Sequence, residues 1–428
     1  MTALEGRETR ARKRKADDRR RLREVLGAII LALYAAHRAD PEQWLAYARR
    51  NDDYGADQRR YVHPHATAKA ARAVVDFLTA VGLVEHRGGS FSRGEIGNRG
   101  TRSRARARPE LIDLLEQEHG ISPVSLGFAE WSDVVRLKAP KVGRGGSKQY
   151  LPYTDTPLTN GMREQLRDLN AFLSSFRIDL ELSGDVAASS GERTDEPSDA
   201  DDRSTVRLYR VFNNGRWDHG GRFYGGWWQA IPSQHRRRLL IDGEETVELD
   251  FKALHPRLCY HLDCEPLPAD SDPYSIEGLD SGALRDVVKV VVNQLLNVVG
   301  PARLRAPKGI AGELPDGRSY AELVERVEQA HAPIAGWLRS GRGLELQYLD
   351  SLIAASVLGY MRSRDICCLS VHDSFIVPLS AEQTLGHAML AAYRSILMDR
   401  AAVDGWPVIS GWTSADIEEQ ARASAGAS

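Results

Sequence analysis

The chain has 428 residues, 42% of them hydrophobic and 27% charged, which is enough for two or three ordinary domains and too average for a collagenous, largely disordered or membrane-embedded protein. The longest apolar stretch, Val25 to Ala36, is too short to cross a bilayer, and the charged N-terminus lacks the apolar core of a secretory signal, so a cytoplasmic protein with no membrane partner is expected. The formal net charge of −2 hides an asymmetry: residues 1–150 hold 29 Lys+Arg against 19 Asp+Glu, whereas the remainder holds 28 against 40. A front of +10 and a back of −12 point to an N-terminal part that meets a polyanion and a C-terminal part with a different task.

In chain order, Arg7 to Arg23 reads as a solvated basic helix or arm, followed by an apolar helix over Val25–Ala36 and a further helical pattern near Pro41 to Arg50. The spacing of Ala70, Val74, Phe77, Leu78 and Val81 predicts a helix over Ala66–Val81, capped by Gly82, with a strand starting at Leu83. His86 to Arg108 then carries five glycines and seven arginines and leads into a helix over Pro109–Glu118. Helices, a short strand, a glycine-rich basic hairpin and a strand together resemble a winged helix. In that family the wing lies on phosphates, and alternation would put Arg102, Arg104, Arg106 and Arg108 on one face of a strand to touch nucleic acid. A basic loop joining two helical subdomains would look similar.

The loop Lys141 to Lys148, KVGRGGSK, lacks the residue order of a nucleotide-binding P-loop. A helix is expected over Asn160–Ser175, and Ser183 to Ser204, rich in Ser, Asp and Glu, reads as a disordered linker or surface insertion. The expected division is therefore a basic helical region over 1–135, a connecting segment over 136–205 and a third domain over 206–428. Cys259, Cys264, Cys367 and Cys368 form no CxxC pair, so buried free thiols are expected rather than a zinc site or disulfides.

The chemistry concentrates after Val206. Thr246 to Phe251 alternates as a strand that ends on Asp250, with Leu254 to Leu262 helical beyond it. Ile366 to Leu379 reads as an apolar strand pair interrupted by His372, Asp373 and Ser374. Either carboxylate alone is explained as a turn or cap residue, but two aspartates at neighbouring strand ends can hold a pair of divalent ions for an in-line phosphoryl displacement. Between them, Ser281 to Val299 is a Val- and Leu-rich helix whose Arg285, Lys289, Asn293 and Asn297 recur every four residues and share a face. Two cations on one face can clamp a triphosphate; a solvated helix face is the plain alternative.

The ordered set ELDFKALHPRL (Glu248 to Leu258), RDVVKVVVNQLLN (Arg285 to Asn297) and SVHDSFIVP (Ser370 to Pro378) resembles motifs A, B and C of the polymerase superfamily that joins family A DNA polymerases to the single-subunit RNA polymerases of phage and mitochondrial type. DHGGRFY, Asp218 to Tyr224, is similar to the D-x-x-G-R-x-Y element upstream of motif A in the RNA polymerases, whereas Asp272, Pro273 and Tyr274 resemble a feature of phage family A DNA polymerases. The likeness covers about residues 206–400 and implies an α+β fold, a polymerase palm with reduced helical fingers behind a mainly helical, winged-helix-like N-terminal region. It also implies a template-directed nucleotidyltransferase that uses two Mg²⁺ ions, replaceable by Mn²⁺, with nucleoside triphosphates, template and primer or product as partners. By the same likeness Asp250 and Asp373 are metal-binding catalytic carboxylates, helped by the Phe251 carbonyl. Arg285 and Lys289 hold the triphosphate, and Lys289 is also placed to protonate the leaving pyrophosphate. His255 stands at the sugar gate, and Arg222, Tyr224, His372 and Gln347, the last with Asp350, lie at template or primer.

The departures bear on function. Asn297 and Val298 replace the aromatic residue and glycine of motif B, and the separation of Asp250 and Asp373, 123 positions, implies trimmed fingers. His255, where DNA polymerases have glutamate and the RNA polymerases glycine, leans toward deoxynucleotides, while Asp218 to Tyr224 leans toward RNA. The product thus stays open between RNA and DNA. Two further alternatives are a non-catalytic DNA-binding replication initiator or regulator with a degenerate palm, and a template-independent nucleotidyltransferase.

Overall fold

The computed structural model describes residues 4, 14–39, 41–42, 44–54, 60, 65–89, 91–94, 97–100, 103–121, 133–140, 149–181, 206–268, 271–279, 282–306, 314, 317, 319–398 and 409. They form a mixed α/β protein. The chain divides into two compact units, Met1–Ser175 with Leu180–Arg210 and Tyr224–Arg238, and Phe176–Asp179 with Val211–Phe223 and Leu239–Ser428. These bounds differ from the expected three-part division, because the chain changes unit within strands as well as between them, which charge and composition do not register. The loop 141–148 and the segment 183–204 lie outside the described residues.

In the first unit, helix α1 (Ala16–Ala39) starts with Asp17 and Asp18 and ends with His37 and Arg38, the charge order that complements the helix dipole. Helix α2 (Ala68–Ala80) begins where the Thr67 side chain accepts the Ala70 N–H at 3.0 Å. It ends in a Schellman closure, with Leu83 N–H donating to the Leu78 carbonyl at 3.0 Å across Gly82, whose φ of +78° suits glycine. Val74, Val75 and Leu78 of α2 and Leu22, Val25 and Leu33 of α1 bury their side chains with Val84, Ala105 and Ala107, each large aliphatic group contributing about 1.5–3 kcal/mol.

The sheet of this core has the order β1 (Leu45–Tyr47), β5 (Ser103–Ala107), β2 (Val84–Arg87), and the hairpin β3 (Phe91–Gly94) and β4 (Gly97–Gly100) lies between β2 and β5 in the chain. The helical pattern expected near Pro41 to Arg50 is corrected: Leu45–Tyr47 is a strand because it pairs antiparallel with Ala105–Ser103, and sheet pairing overrides local propensity. The expected helix over Pro109–Glu118 is helix α3 (Pro109–Asp113) continued by a π turn over Leu114–Glu118.

Helix α4 (Pro157–Leu173) is opened by a capping box between Thr156 and Thr159. Strands β6 (Val135–Leu137), β8 (Val206–Phe212) and β9 (Gly220–Gly226) form a second sheet. The Asn170 amide of α4 donates to the Leu208 carbonyl at 2.8 Å and accepts the Leu208 N–H at 2.6 Å, so a side chain serves β8 there as a strand would. Just before β6, Asp133 accepts from Arg60 Nε at 2.8 Å, Arg163 Nη2 at 3.0 Å, the Tyr153 hydroxyl at 2.8 Å and Val135 N–H at 3.0 Å. Burial alone would raise this carboxyl, but the Arg163 and Val135 hydrogen bonds outweigh it and hold the group below the ordinary carboxylate value.

The second unit is built on the sheet β12 (Leu369–Val371), β13 (Ser374–Pro378), β11 (Glu244–Asp250), β10 (Leu239–Ile241) and β7 (Ile178–Leu180), in that order, with Ile178 and Asp179 of β7 inside this unit. Helices α5 (Leu254–Leu262), α6 (Gly282–Asn297), α7 (Tyr320–Ala330), α8 (Gly343–Ser363) and α9 (Glu382–Met398) follow the strands in the sequence or interrupt them. Helix α8 packs against α9, α5 and α6, and α9 lies on β11 and β13. Phe375, Met389, Leu385 and Tyr393 are fully buried there. The Tyr393 hydroxyl lies 2.7 Å from His261 Nδ1, and burial with the nearby Arg257 charge lowers His261 to about 4. Cys259, Cys367 and Cys368 are buried free thiols, but Cys264 is exposed, correcting the expectation that all four are buried; it sits past the end of α5 at φ +58°.

The Asp133 cluster sets an expectation for stability. Asp133→Ala removes the buried one of the two carboxylates that Arg60 and Arg163 share, leaving exposed Asp155, and costs about 3 kcal/mol. Because the folded carboxyl lies below its unfolded value, its contribution is complete above about pH 4 and fades as pH falls through the lower folded value. Denaturant midpoints measured across acid pH check both, the variant losing that part of the acid dependence.

Candidate active site

The antiparallel register of β11 with β13 sets Asp250 opposite Ser374, directly beside Asp373. The Phe251 N–H donates to the Asp373 carbonyl at 3.3 Å, so the backbone itself ties the two strand ends together. Asp373 occupies the turn between β12 and β13, where Val371 pairs with Ser374 and only His372 and Asp373 lie between them. His372 has φ +60°, a left-handed conformation that non-glycine residues adopt at a cost of about 1–2 kcal/mol. The expected hairpin with its polar tip is therefore present. Glu248, two residues before Asp250 on β11, accepts the Ser374 hydroxyl at 2.6 Å, a third carboxylate at this edge that the sequence reading did not use.

Behind this edge lies a buried ion pair. Arg222 Nε donates to Asp350 Oδ2 at 2.6 Å and Nη2 approaches the same oxygen at 2.5 Å, while His255 Nε2 stands 3.8 Å from Asp350 and 3.4 Å from Arg222 Nη2. Asp350 is 1% exposed. Burial would raise its carboxyl, but neighbouring His255 and Arg222 outweigh that and keep it below the ordinary value. Asp373 moves the opposite way: burial first, then the Asp350 charge, raises it, with Arg222 in partial relief. The residues expected at the template element, Arg222, and at the sugar gate, His255, thus meet through Asp350. Asp350 shares an i, i+4 row with buried Leu346, Ala354 and Leu358; a carboxylate on an apolar face is the signal that marks it in the sequence. Gln347 is half-buried on the same helix, one turn before Asp350.

The cationic face of α6 is arranged as spaced. Arg285 Nε donates to Asp272 Oδ2 at 2.5 Å, and its guanidinium lies 5.6 Å from the Tyr274 ring. Tyr274 N–H donates to Asp272 Oδ1 at 3.0 Å, and burial, with the charges of Asp373 and Asp272, raises the Tyr274 phenol. Lys289, one turn along, is exposed, as are Asn293 and Asn297. Asn297, where the resemblance leads one to expect an aromatic residue, donates to the Asn293 carbonyl at 2.7 Å and fills the space over Gly343, where an added Cβ would clash with its Oδ1.

In the first unit the expected arginine row is only partly presented. Arg102 lies outside the described residues. Arg104 is 5% exposed, and Arg106 is ion-paired with Glu42 and, at 2.7 Å, with Glu85, its guanidinium 4.9 Å over the Trp44 ring. Arg108 precedes α3 and is exposed. Tyr224 also belongs to the first unit, its ring stacked 6.2 Å from Tyr209.

Two carboxylates at a strand end supply hard oxygen donors, the composition that suits Mg²⁺ in sites where water and substrate phosphates complete the shell. Among the described residues no group of three or more His, Cys, Asp or Glu side chains is placed to hold a metal. No helix among the described residues is long and apolar enough to cross a membrane.

The buried pair yields an expectation. Asp350→Asn, which leaves Arg222 without its counter-charge, costs about 3–5 kcal/mol. Combined with Arg222→Gln the loss falls short of the sum, with a coupling of at least about 1 kcal/mol in a denaturation double-mutant cycle.

No family model matches the chain. No curated protein matches it either.

Proposed function

We propose that the protein is a template-directed nucleotidyltransferase whose second unit is a polymerase-type palm and whose first unit carries a winged-helix-like element. The observation carrying this is the β11–β13 register, which sets Asp250 beside Asp373 although they lie 123 positions apart in the chain. Arg285 and Lys289 on one face of α6 fit the role of triphosphate ligands. For the first unit, support comes from the β1–β5–β2 order with the β3–β4 hairpin inserted between β2 and β5.

In the proposed reaction the 3′-hydroxyl of a primer or first nucleotide attacks the α-phosphate of a nucleoside triphosphate, and pyrophosphate leaves. Asp250, Asp373 and the Phe251 carbonyl would hold a pair of Mg²⁺ ions, which favour ionisation of the hydroxyl and neutralise charge on the leaving group. Arg285 and Lys289 would bind the β- and γ-phosphates, and Lys289 would pass a proton to the departing pyrophosphate. The Arg285–Asp272 pair is more than a third exposed on both sides, and such a pair is worth about 0–1 kcal/mol, so a triphosphate can displace the carboxylate. His372 would border the primer end and His255 the sugar, held by Arg222 and Asp350. Positioning and charge neutralisation would supply most of the rate.

A second reading, template-independent transfer, is favoured by Asn297, which offers no aromatic surface beside a templating base. Extension of a labelled primer on a defined template with Mg²⁺, given NTPs or dNTPs separately, tests both. Template-matched extension reduced by about 10²–10³-fold or more in Asp373→Asn is the expected result. Homopolymer growth regardless of template would favour the second reading, and extension indifferent to Asp373 would overturn both.

A further inference from the structure

The last turn of α6 is tied to the segment that leads into α8, both within the second unit. The Arg339 N–H donates to the Leu295 carbonyl at 2.6 Å, the Gly300 N–H donates to the Arg339 carbonyl at 2.9 Å, and Val299 forms an antiparallel bridge with Ser340. Arg339 Nη1 adds a bond to the Ala302 carbonyl at 2.8 Å. Gly341 (φ +71°) and Gly343 permit this close approach, since a Cβ would strike Val299 at the first and Asn297 at the second. Residues 339–343 are thus fixed against the end of the helix whose face carries Arg285, Lys289, Asn293 and Asn297.

In that segment the Arg342 guanidinium lies over the Trp337 ring, Cζ 3.6 Å from its centre, the contact distance of two stacked planes, and Nε donates to Glu345 at 2.9 Å. Ser340 Oγ donates to the Trp337 carbonyl at 2.6 Å and accepts the Arg342 N–H at 3.3 Å, which fixes the two residues relative to each other. Trp337 is buried, so what this pair presents outward is its guanidinium cover. The Arg342 side chain is 41% exposed with one face on the ring and Nε on Glu345, which makes the outer face and the Nη edge the exposed part. Across the bridge, Val299 at 73% is the most exposed large hydrophobic side chain among the described residues, and Asn297 is exposed as well.

We propose that Arg342, backed by Trp337, is a stacking surface for a nucleobase, with Val299 and Asn297 at its margin. The proposal rests on reading α6 as the nucleotide-binding helix and deepens that reading by naming what holds the base. A guanidinium pinned on a ring loses little freedom when a base stacks on its other face, and the Glu345 pair occupies an edge and not that face. Lys289 and Asn297 stand eight residues apart on one helix face, about 12 Å along the axis. Phosphates at Lys289 and a base at Arg342 therefore belong to one bound nucleotide or to adjoining ones. Asn297 offers an amide to a base edge but no plane to stack on; the plane next to it supplies that.

The test is equilibrium binding by the full chain to two pairs of probes, each pair differing in the base alone. One is a labelled single-stranded oligodeoxynucleotide against the same backbone made abasic throughout; the other is a nucleoside triphosphate against inorganic tripolyphosphate. The wild type should prefer the base-bearing member of at least one pair by about fivefold or more. Arg342→Ala should abolish that preference. Arg342→Lys keeps the charge and covers Trp337 with its methylene chain, so it should melt with the wild type and keep base-free affinity and salt dependence, yet lose the preference as the Ala variant does. No preference in the wild type, a preference retained in Arg342→Lys, or a loss that merely follows a lower melting temperature would overturn the proposal. Preference within the strand pair assigns the base to a strand, and within the triphosphate pair to the nucleotide. Binding needs no turnover: base preference controlled by Arg342 without primer extension would keep this surface and reject nucleotidyl transfer, and extension without base preference would do the reverse.

Discussion

Everything at the candidate site depends on one backbone ladder, the antiparallel pairing of Glu244–Asp250 with Ser374–Pro378. Two carboxylates repel, and long flexible side chains would let them drift apart; here they are short and anchored at paired strand ends, with the Phe251 N–H closing onto the Asp373 carbonyl. The left-handed His372 in the adjoining turn is the local strain that this closure imposes. Burial and then the Asp350 charge disfavour the ionised form of Asp373, with Arg222 in partial relief.

The Arg222–Asp350 pair supports this edge from within. A buried ion pair is a poor source of net stability, because desolvation consumes most of the Coulombic gain, but once present it is costly to break and it fixes direction. Its directional effect is what matters: His255 on the first turn of α5 and Arg222 on β9 take their positions from one carboxylate on α8. Asp133 does the same work in the first unit, gathering Arg60, Arg163 and Tyr153 around a carboxylate that is itself tied to the β6 backbone. Asp350 thus orients Arg222 and His255, and Asp133 together with exposed Asp155 orients Arg60 and Arg163, all from distant parts of the chain.

Charge alone proved a coarse guide to the first unit. The excess of Lys and Arg in residues 1–150 is real, yet arginines two positions apart have different fates, Arg104 in the interior and Arg106 against two glutamates. Whether a basic residue reaches a ligand is decided by what folds against it.

Local pattern was enough wherever local forces decide. The 3.6-residue spacing with Gly82 marked α2 and its end, Leu254–Leu262 was legible as a helix, and the apolar run around His372 to Ser374 was legible as a hairpin with a polar tip. The pairing partners were not legible, because nothing in spacing says which distant residue will fold against which. The strand at Leu45–Tyr47 exists because Ser103–Ala105 receives it; Asp350 pairs with Arg222 across 128 residues; Arg285 meets Asp272, and Cys264 stays exposed. The sequence by itself determined the elements and the types of residue that carry charge at their ends. Only the tertiary structure decided which charges meet, because contact, burial and hydrogen-bond geometry are properties of packed surfaces and not of order along the chain.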